Sequence, residues 1–144
     1  MNYREIVFSI GKLNREHRNR IHTIMESEGL FYGQLPILEV VKKLGSCTQK
    51  EISKELGVTP PSVTTSVKRL VKKGYLEKKA DEKDLRNTRI TITESGLEKT
   101  LACRKKFDEF DVQAFSALTE EECELFKTLI DKLIQSMEKE DIHD

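Results

Sequence analysis

Residues 48–96 read TQKEISKELGVTPPSVTTSVKRLVKKGYLEKKADEKDLRNTRITITESG, and this stretch decides the fold. Thr48 and Glu51 make a T-x-x-E capping box: the threonine hydroxyl can accept from the amide three residues on, and the glutamate can return the bond. Ile52 and Leu56 recur at helical spacing before Gly57 ends the helix. Thr59 and Pro60 restart it, with a cap followed by proline at the first helical position, where a missing N–H costs nothing. Val63, Val67 and Leu70 mark the buried face of this second helix, and Gly74 stops it. Two strand-like segments follow, residues 75–79 and the β-branched alternation 88–93, joined by a polar link from Ala80 to Asn87. Two short helices and then a basic hairpin is the order of a winged helix-turn-helix.

Outward from this stretch the chain is helical. Ile6, Ile10, Leu13, Ile21 and Ile24 predict an amphipathic helix over about residues 3–27. Gly29 and Gly33 punctuate a turn, and Leu35, Leu38, Val41 and Leu44 predict a second helix that Gly45 stops. Cys47 falls in a short strand before the capping box. Beyond the hairpin, Thr93 can cap a long helix to about residue 116, with Leu97, Leu101, Phe107, Phe110 and Ala114 broadly to one side. A second capping box, Thr119 to Glu122, opens a last helix striped by Phe126, Leu129, Ile130, Leu133 and Met137. The predicted class is mostly α with a small β-wing, in the order α-α-(β)-α-α-β-β-α-α. Its expected organisation is one chain, with a winged lobe over 34–93 and a helical dimerisation region from 1–30 and 94–144.

The chain has 144 residues, 37% hydrophobic and 35% charged, which suits a modest core under a heavily charged surface. No apolar run approaches the roughly 18 residues a membrane helix needs. The charges of the first residues argue against export. Three cysteines without regular spacing fit a reduced, cytoplasmic protein better than a disulfide scaffold. The formal net charge of zero conceals a division. Residues 59–90 carry nine Lys/Arg against four acids, whereas residues 107–144 carry three Lys against twelve Asp/Glu. The basic segment is the one with helix-turn-helix geometry, which points to nucleic acid as its partner.

On a helical wheel with Val63, Val67 and Leu70 inward, the opposite arc holds Pro61, Ser62, Thr65, Lys68, Arg69 and Lys72. Hydroxyls and long cations on one arc can reach base edges and phosphates in a major groove. The free N–H groups at the helix start, next to Thr59, suit a phosphate. On the hairpin, Lys83, Arg86 and Arg89 form a cationic arm, with Arg86 the candidate for insertion in a narrow A·T-rich minor groove. Asp84 is expected to steer Arg86, or to pair with Arg69 and lock the wing to the helix.

These features resemble the MarR-type (multiple-antibiotic-resistance) regulators over essentially the whole chain. The most specific parts are TQKEISKELGVTPPSVTTSVKRLVKKGYLEK and the D-x-R wing Asp84-Leu85-Arg86, followed by ITITESG. The resemblance implies a homodimer knitted by the first helix and the last two, bound to a pseudo-palindromic double-stranded operator, and acting as a repressor. It places Ser62, Thr64, Thr65, Lys68 and Arg69 on DNA from the recognition helix and Arg86 from the wing. Leu85 departs from relatives that carry a second Arg or Lys there, and Arg89 brings the nearby cation one position late.

The same resemblance implies a small anionic aromatic or lipophilic ligand in a cleft beside the dimerisation helices, with His17, Arg18, Ile21 and Tyr32 as candidate lining. A redox-responsive regulator of the same fold is the alternative. The peroxide-sensing branch, however, places its reactive cysteine in the first helix, where this chain has none. His17 and His22, five residues apart, lie on different sides of a helix, so no metal or other cofactor is expected. No phosphate-binding loop, H-E-x-x-H or G-x-S-x-G suggests an enzyme. A winged-helix module that binds protein instead of DNA is the remaining rival.

Overall fold

The computed structural model describes residues 2–31 and 33–140. In order the elements are α1 (Tyr3–Ser27), α2 (Gln34–Leu44), β1 (Ser46–Cys47), α3 (Gln49–Leu56), α4 (Pro60–Lys72), β2 (Leu76–Ala80), β3 (Thr88–Ile92), α5 (Glu94–Phe115) and α6 (Glu120–Glu140). The chain divides into two compact units between Phe107 and Asp108. Among the described residues no helix is long and apolar enough to cross a membrane.

The core of the first unit gathers Ile37, Leu38 and Val41 of α2, Ile52 of α3, Val63, Val67 and Leu70 of α4, and Leu76 and Ile90 of the sheet. The strands form one antiparallel sheet in the order β1-β3-β2. β3 is therefore central, with Lys78 and Cys47 both opposite Ile90. Leu44, expected inward, is exposed at the last turn of α2, while Ile37 and Val40 are buried.

Local chemistry sets the helix ends. Both bonds of the Thr48–Glu51 capping box are made, at 3.2 and 3.0 Å, and those of Thr119–Glu122 at 3.2 and 2.9 Å. Thr59 occupies the cap position of α4, but its hydroxyl does not cap. Thr59 Oγ1 lies 3.0 Å from Ser62 Oγ instead, and the Pro60-Pro61 pair leaves two fewer amides to satisfy.

Phe107 of the expected α5 stripe is buried, but over the first turns the buried positions lie one residue before the expected Leu97 and Leu101. The buried positions of the helix are Gly96, Thr100, Cys103 and Phe107, and Leu101 is exposed. Gly96 lets the helix backbone seat itself on Tyr75, and that contact sets the rotation of the helix. The α1 stripe is real, but on this helix only Met25 is buried, with Ile21 and Ile24 partly covered. Ile6, Ile10 and Leu13 remain exposed, because a helix of 25 residues runs roughly 37 Å and outreaches this core. On α6, Leu129, Ile130, Leu133 and Met137 are exposed as well.

Candidate nucleic-acid interface

α4 buries Val63, Val67 and Leu70 completely and turns the opposite arc to solvent. Pro61, Ser62, Thr65, Lys68, Arg69 and Lys72 are all exposed, as is Thr59 at the helix start. Among the described residues no hydrogen bond or ion pair engages the side chains of Lys68, Arg69 and Lys72. The Thr65 hydroxyl donates to the Pro61 carbonyl at 3.1 Å, a weak internal bond that a base edge or phosphate can replace. Thr64 is different: its hydroxyl lies 2.8 Å from Gln49 Oε1 and 3.0 Å from the Pro60 carbonyl, so it faces α3.

The loop between β2 and β3 is organised by two aspartates. Asp81 Oδ1 accepts from the Lys83 amide at 2.9 Å, and Asp84 Oδ1 accepts from the Arg86 amide at 3.1 Å. The Asn87 amide closes back on the Asp84 carbonyl at 3.0 Å. Asp84 thus steers Arg86 through the backbone, and no Asp84–Arg69 pair forms among the described residues. A short carboxylate reaches an amide two residues on more readily than a guanidinium on another element. Lys83, Leu85 and Arg86 stand outward, Leu85 at 83% exposure.

Arg89 does not join this free arm. Its Nε donates to Ser46 Oγ at 3.1 Å and its Nη2 to the Ser46 carbonyl at 2.6 Å, with Nη1 3.8 Å from Glu51 Oε1. At the far end of α4, Lys73 Nζ donates to the Gly29 carbonyl at 2.5 Å and to Gln34 Oε1 at 3.2 Å, and lies 4.9 Å from the centre of the Phe31 ring. Burial, then the charges of Arg69 and Lys99, push the Lys73 ammonium below its ordinary pKa. Composition counted Arg89 and Lys73 among the DNA-directed charge; their geometry makes both of them ties between elements.

A cleft of about 820 Å³ opens in the first unit. Ile21, His22 and Met25 of α1, Leu35, Ile37 and Glu39 of α2, and Leu56 of α3 contribute to its walls. Ser62, Val63, Thr65 and Ser66 of α4 and Arg104 and Phe107 of α5 also line it. Arg104 pairs with Glu39 and lies 5.7 Å from the centre of the Phe107 ring. Of the three expected lining residues that are described, Ile21 lines the cleft. His17 and Arg18 fall about a turn before it on α1 and are not lining residues, and Tyr32 lies outside the described residues. Periodicity places His22 three residues before Met25, so the α1 wall could have been read from the buried Met25.

The thiols of Cys47 and Cys103 are fully buried. Burial pushes both thiols above their ordinary pKa, helped by Glu51 at Cys47 and Glu28 at Cys103. That is the opposite of the exposed, acidified thiol a redox sensor uses. Among the described residues no group of three or more His, Cys, Asp or Glu could hold a metal ion.

A helix with an apolar back and a cationic front, beside a cationic hairpin, defines a winged helix-turn-helix protein. Residues 29–87 match the sequence profile of the MarR family. The uncharacterized HTH-type transcriptional regulator YwhA of Bacillus subtilis (strain 168) is 33% identical over 99 residues, spanning 69% of this chain and 71% of that protein. The HTH-type transcriptional repressor MdtR of the same organism is 30% identical over 140 residues, 95% of this chain and 88% of MdtR. A solved structure of a S. aureus MepR mutant bound to an oligodeoxyribonucleotide is 25% identical, with a TM-score of 0.73 over 92% of this chain and 97% of that one. The chain belongs to the MarR family of helix-turn-helix transcriptional regulators.

Proposed function

We propose that this protein is a homodimeric, cytoplasmic repressor that binds a pseudo-palindromic double-stranded DNA operator and is released by a small ligand. One observation carries the reading. Lys68, Arg69 and Lys72 on α4 and Lys83 and Arg86 on the wing loop project outward with no intramolecular ion-pair partner among the described residues. Cations held this way suit a phosphate backbone, and the hydroxyls of Ser62 and Thr65 among them suit base edges. The oligodeoxyribonucleotide on MepR and the repressor function of MdtR support the assignment.

The second copy follows from apolar surface. Ile6, Ile10 and Leu13 on α1 and Leu129, Leu133 and Met137 on α6 are exposed, at helical spacing, in the single chain. Surface of this kind is covered by a symmetry mate in stable oligomers, and a two-fold places two recognition helices on successive turns of DNA. Residues 1–30 and 94–144 then form the dimerisation region, and 34–93 the DNA-reading lobe.

The cleft suits an apolar or aromatic occupant against Ile21, Met25, Val63 and Phe107, with an acidic group drawn to Arg104 in competition with Glu39. Because Ser62 and Thr65 belong to both the cleft wall and the DNA-facing arc, an occupant would act on the recognition helix directly.

Selection of bound duplexes from a random pool, followed by titration at several salt concentrations, tests the reading. A single enriched inverted repeat, bound with a steep salt dependence and released by an aromatic acid, is expected. Failure to enrich any duplex at low salt would overturn the DNA assignment and favour a protein-binding winged helix. Enrichment without release by any aromatic acid would overturn only the ligand.

A further inference from the structure

Residues 46–51 touch both of the DNA-directed elements. Gln49, the first residue of α3, accepts the hydroxyl of Thr64 from the recognition helix at 2.8 Å. Ser46 on β1 accepts twice from the Arg89 guanidinium at the base of the wing, at 3.1 and 2.6 Å. Glu51 places one oxygen on the Thr48 amide at 3.0 Å and leaves the other 3.8 Å from Arg89 Nη1. Between them Cys47, fully buried, pairs with the equally buried Ile90, which anchors the segment in the core. The β1–β3 ladder is only two residues long, Ser46 with Thr91 and Cys47 with Ile90. Arg89 therefore prolongs by side chain a pairing the backbone abandons.

We infer that segment 46–51 is a bracket that sets the spacing between recognition helix and wing, and that Thr64 and Arg89 are positioning residues, not DNA contacts. This rests on the DNA-binding reading above. Two probes that enter neighbouring grooves gain jointly only when their separation is fixed beforehand, because ordering a loose arm at the moment of binding costs affinity. Thr64 adjoins Thr65 and lies one turn before Lys68, and Arg89 lies three residues after Arg86. Each tie thus acts on a DNA-directed cation through a short length of rigid backbone. Two of the five N–H groups of Arg89, on Nε and Nη2, are committed to Ser46, so swinging the guanidinium out toward the wing tip would break both bonds.

The test is fluorescence anisotropy with the selected operator between 50 and 200 mM salt, using the full-length protein, with melting temperatures measured alongside. Deleting a side chain that neutralises one phosphate lowers the slope of log K against log salt by about 0.9. For Arg89→Ala the bracket predicts about tenfold weaker binding, with a salt slope no lower than that of Arg86→Ala and no further drop when the two are combined. It also predicts that Arg86→Ala, costly in the parent, costs little in the Arg89→Ala background, because a misplaced wing no longer delivers its arginine to the groove. Arg89→Lys, whose single ammonium cannot reproduce the two-point grip on Ser46, should resemble the alanine variant.

A slope reduced by about 0.9 together with additive effects of the two arginines, or full rescue by Arg89→Lys, would overturn the bracket and make Arg89 a phosphate contact. If Arg89→Ala melts within the assay range, Ser46→Ala and Thr64→Val remove one hydroxyl each and carry the same comparison. Absence of any binding by the parent protein would overturn the DNA reading itself. Normal binding with a normal Arg86 effect but no consequence of Ser46→Ala, Thr64→Val or Arg89→Ala would overturn the bracket alone.

Discussion

The α-carbon of Gly96 faces the backbone carbonyl of Tyr75 so closely that a methyl group on it would stand 2.1 Å from that oxygen. The obstacle is main chain, joined to the hydrogen bond from the Thr93 amide to the same carbonyl at 3.1 Å, so it cannot swing aside. Gly96→Ala should therefore lower stability by about 3 kcal/mol, near the upper end of overpacking costs. Urea or thermal unfolding measures this, and Ser95→Ala, at an exposed neighbouring position, should change little.

On the wing, Asp84 acts on the amide of Arg86, and asparagine offers the same acceptor. Asp84→Asn should keep operator affinity within about twofold, whereas Asp84→Ala should loosen the loop and weaken binding about fivefold. Arg86→Ala should weaken A·T-containing sites most, as expected of a side chain that uses minor-groove width. A uniform loss over all sequences would make Arg86 a phosphate contact only.

Leu85 is 83% exposed at the tip of the same loop, so replacing it disturbs no packing. Leu85→Lys should leave the melting temperature unchanged, tighten DNA binding at low salt, and steepen the salt slope by about 0.9. An unchanged slope would show that the tip of the wing does not reach the phosphates.

Glu28 at the end of α1 is held by Lys106 and by Lys99, the latter at 3.1 Å. These hydrogen bonds, Lys106 first, lower its pKa below the ordinary 4.5. A folded-state value below the unfolded one stabilises the fold above about pH 4.5, and the gain disappears as pH falls through the folded value. Glu28→Gln should cost about 1 kcal/mol at neutral pH, discounted for the exposure of the lysines. Its deficit against the parent should vanish in acid. A deficit that does not shrink at all as the pH falls would exclude the carboxylate as its source.

The winged lobe was legible in the sequence because its signals are local. The Thr48–Glu51 capping box, the glycine stops and the 63/67/70 stripe each lie within one turn or two, and all of them hold in the fold. The missed features depend on contacts between distant residues. The rotation of α5 follows from a close approach of Gly96 to Tyr75, which no periodicity encodes. The destinations of Arg89 and Thr64 depend on Ser46 and Gln49, up to 43 residues away. The walls of the cleft likewise come from elements that are remote in sequence. A charge count could not separate Arg86, which is free, from Arg89 and Lys73, which are tied.

The grip of Lys73 on Gly29 has a mechanical corollary. Helix α4 is pinned near its start to Gln49 and just past its end to the turn that follows the first long helix. A rod fastened at two points to different neighbours can tilt about one fastening but cannot slip along its own axis. A swing of the first helix carried through Lys73 would therefore register as a change in the pitch of α4, with its front end as fulcrum.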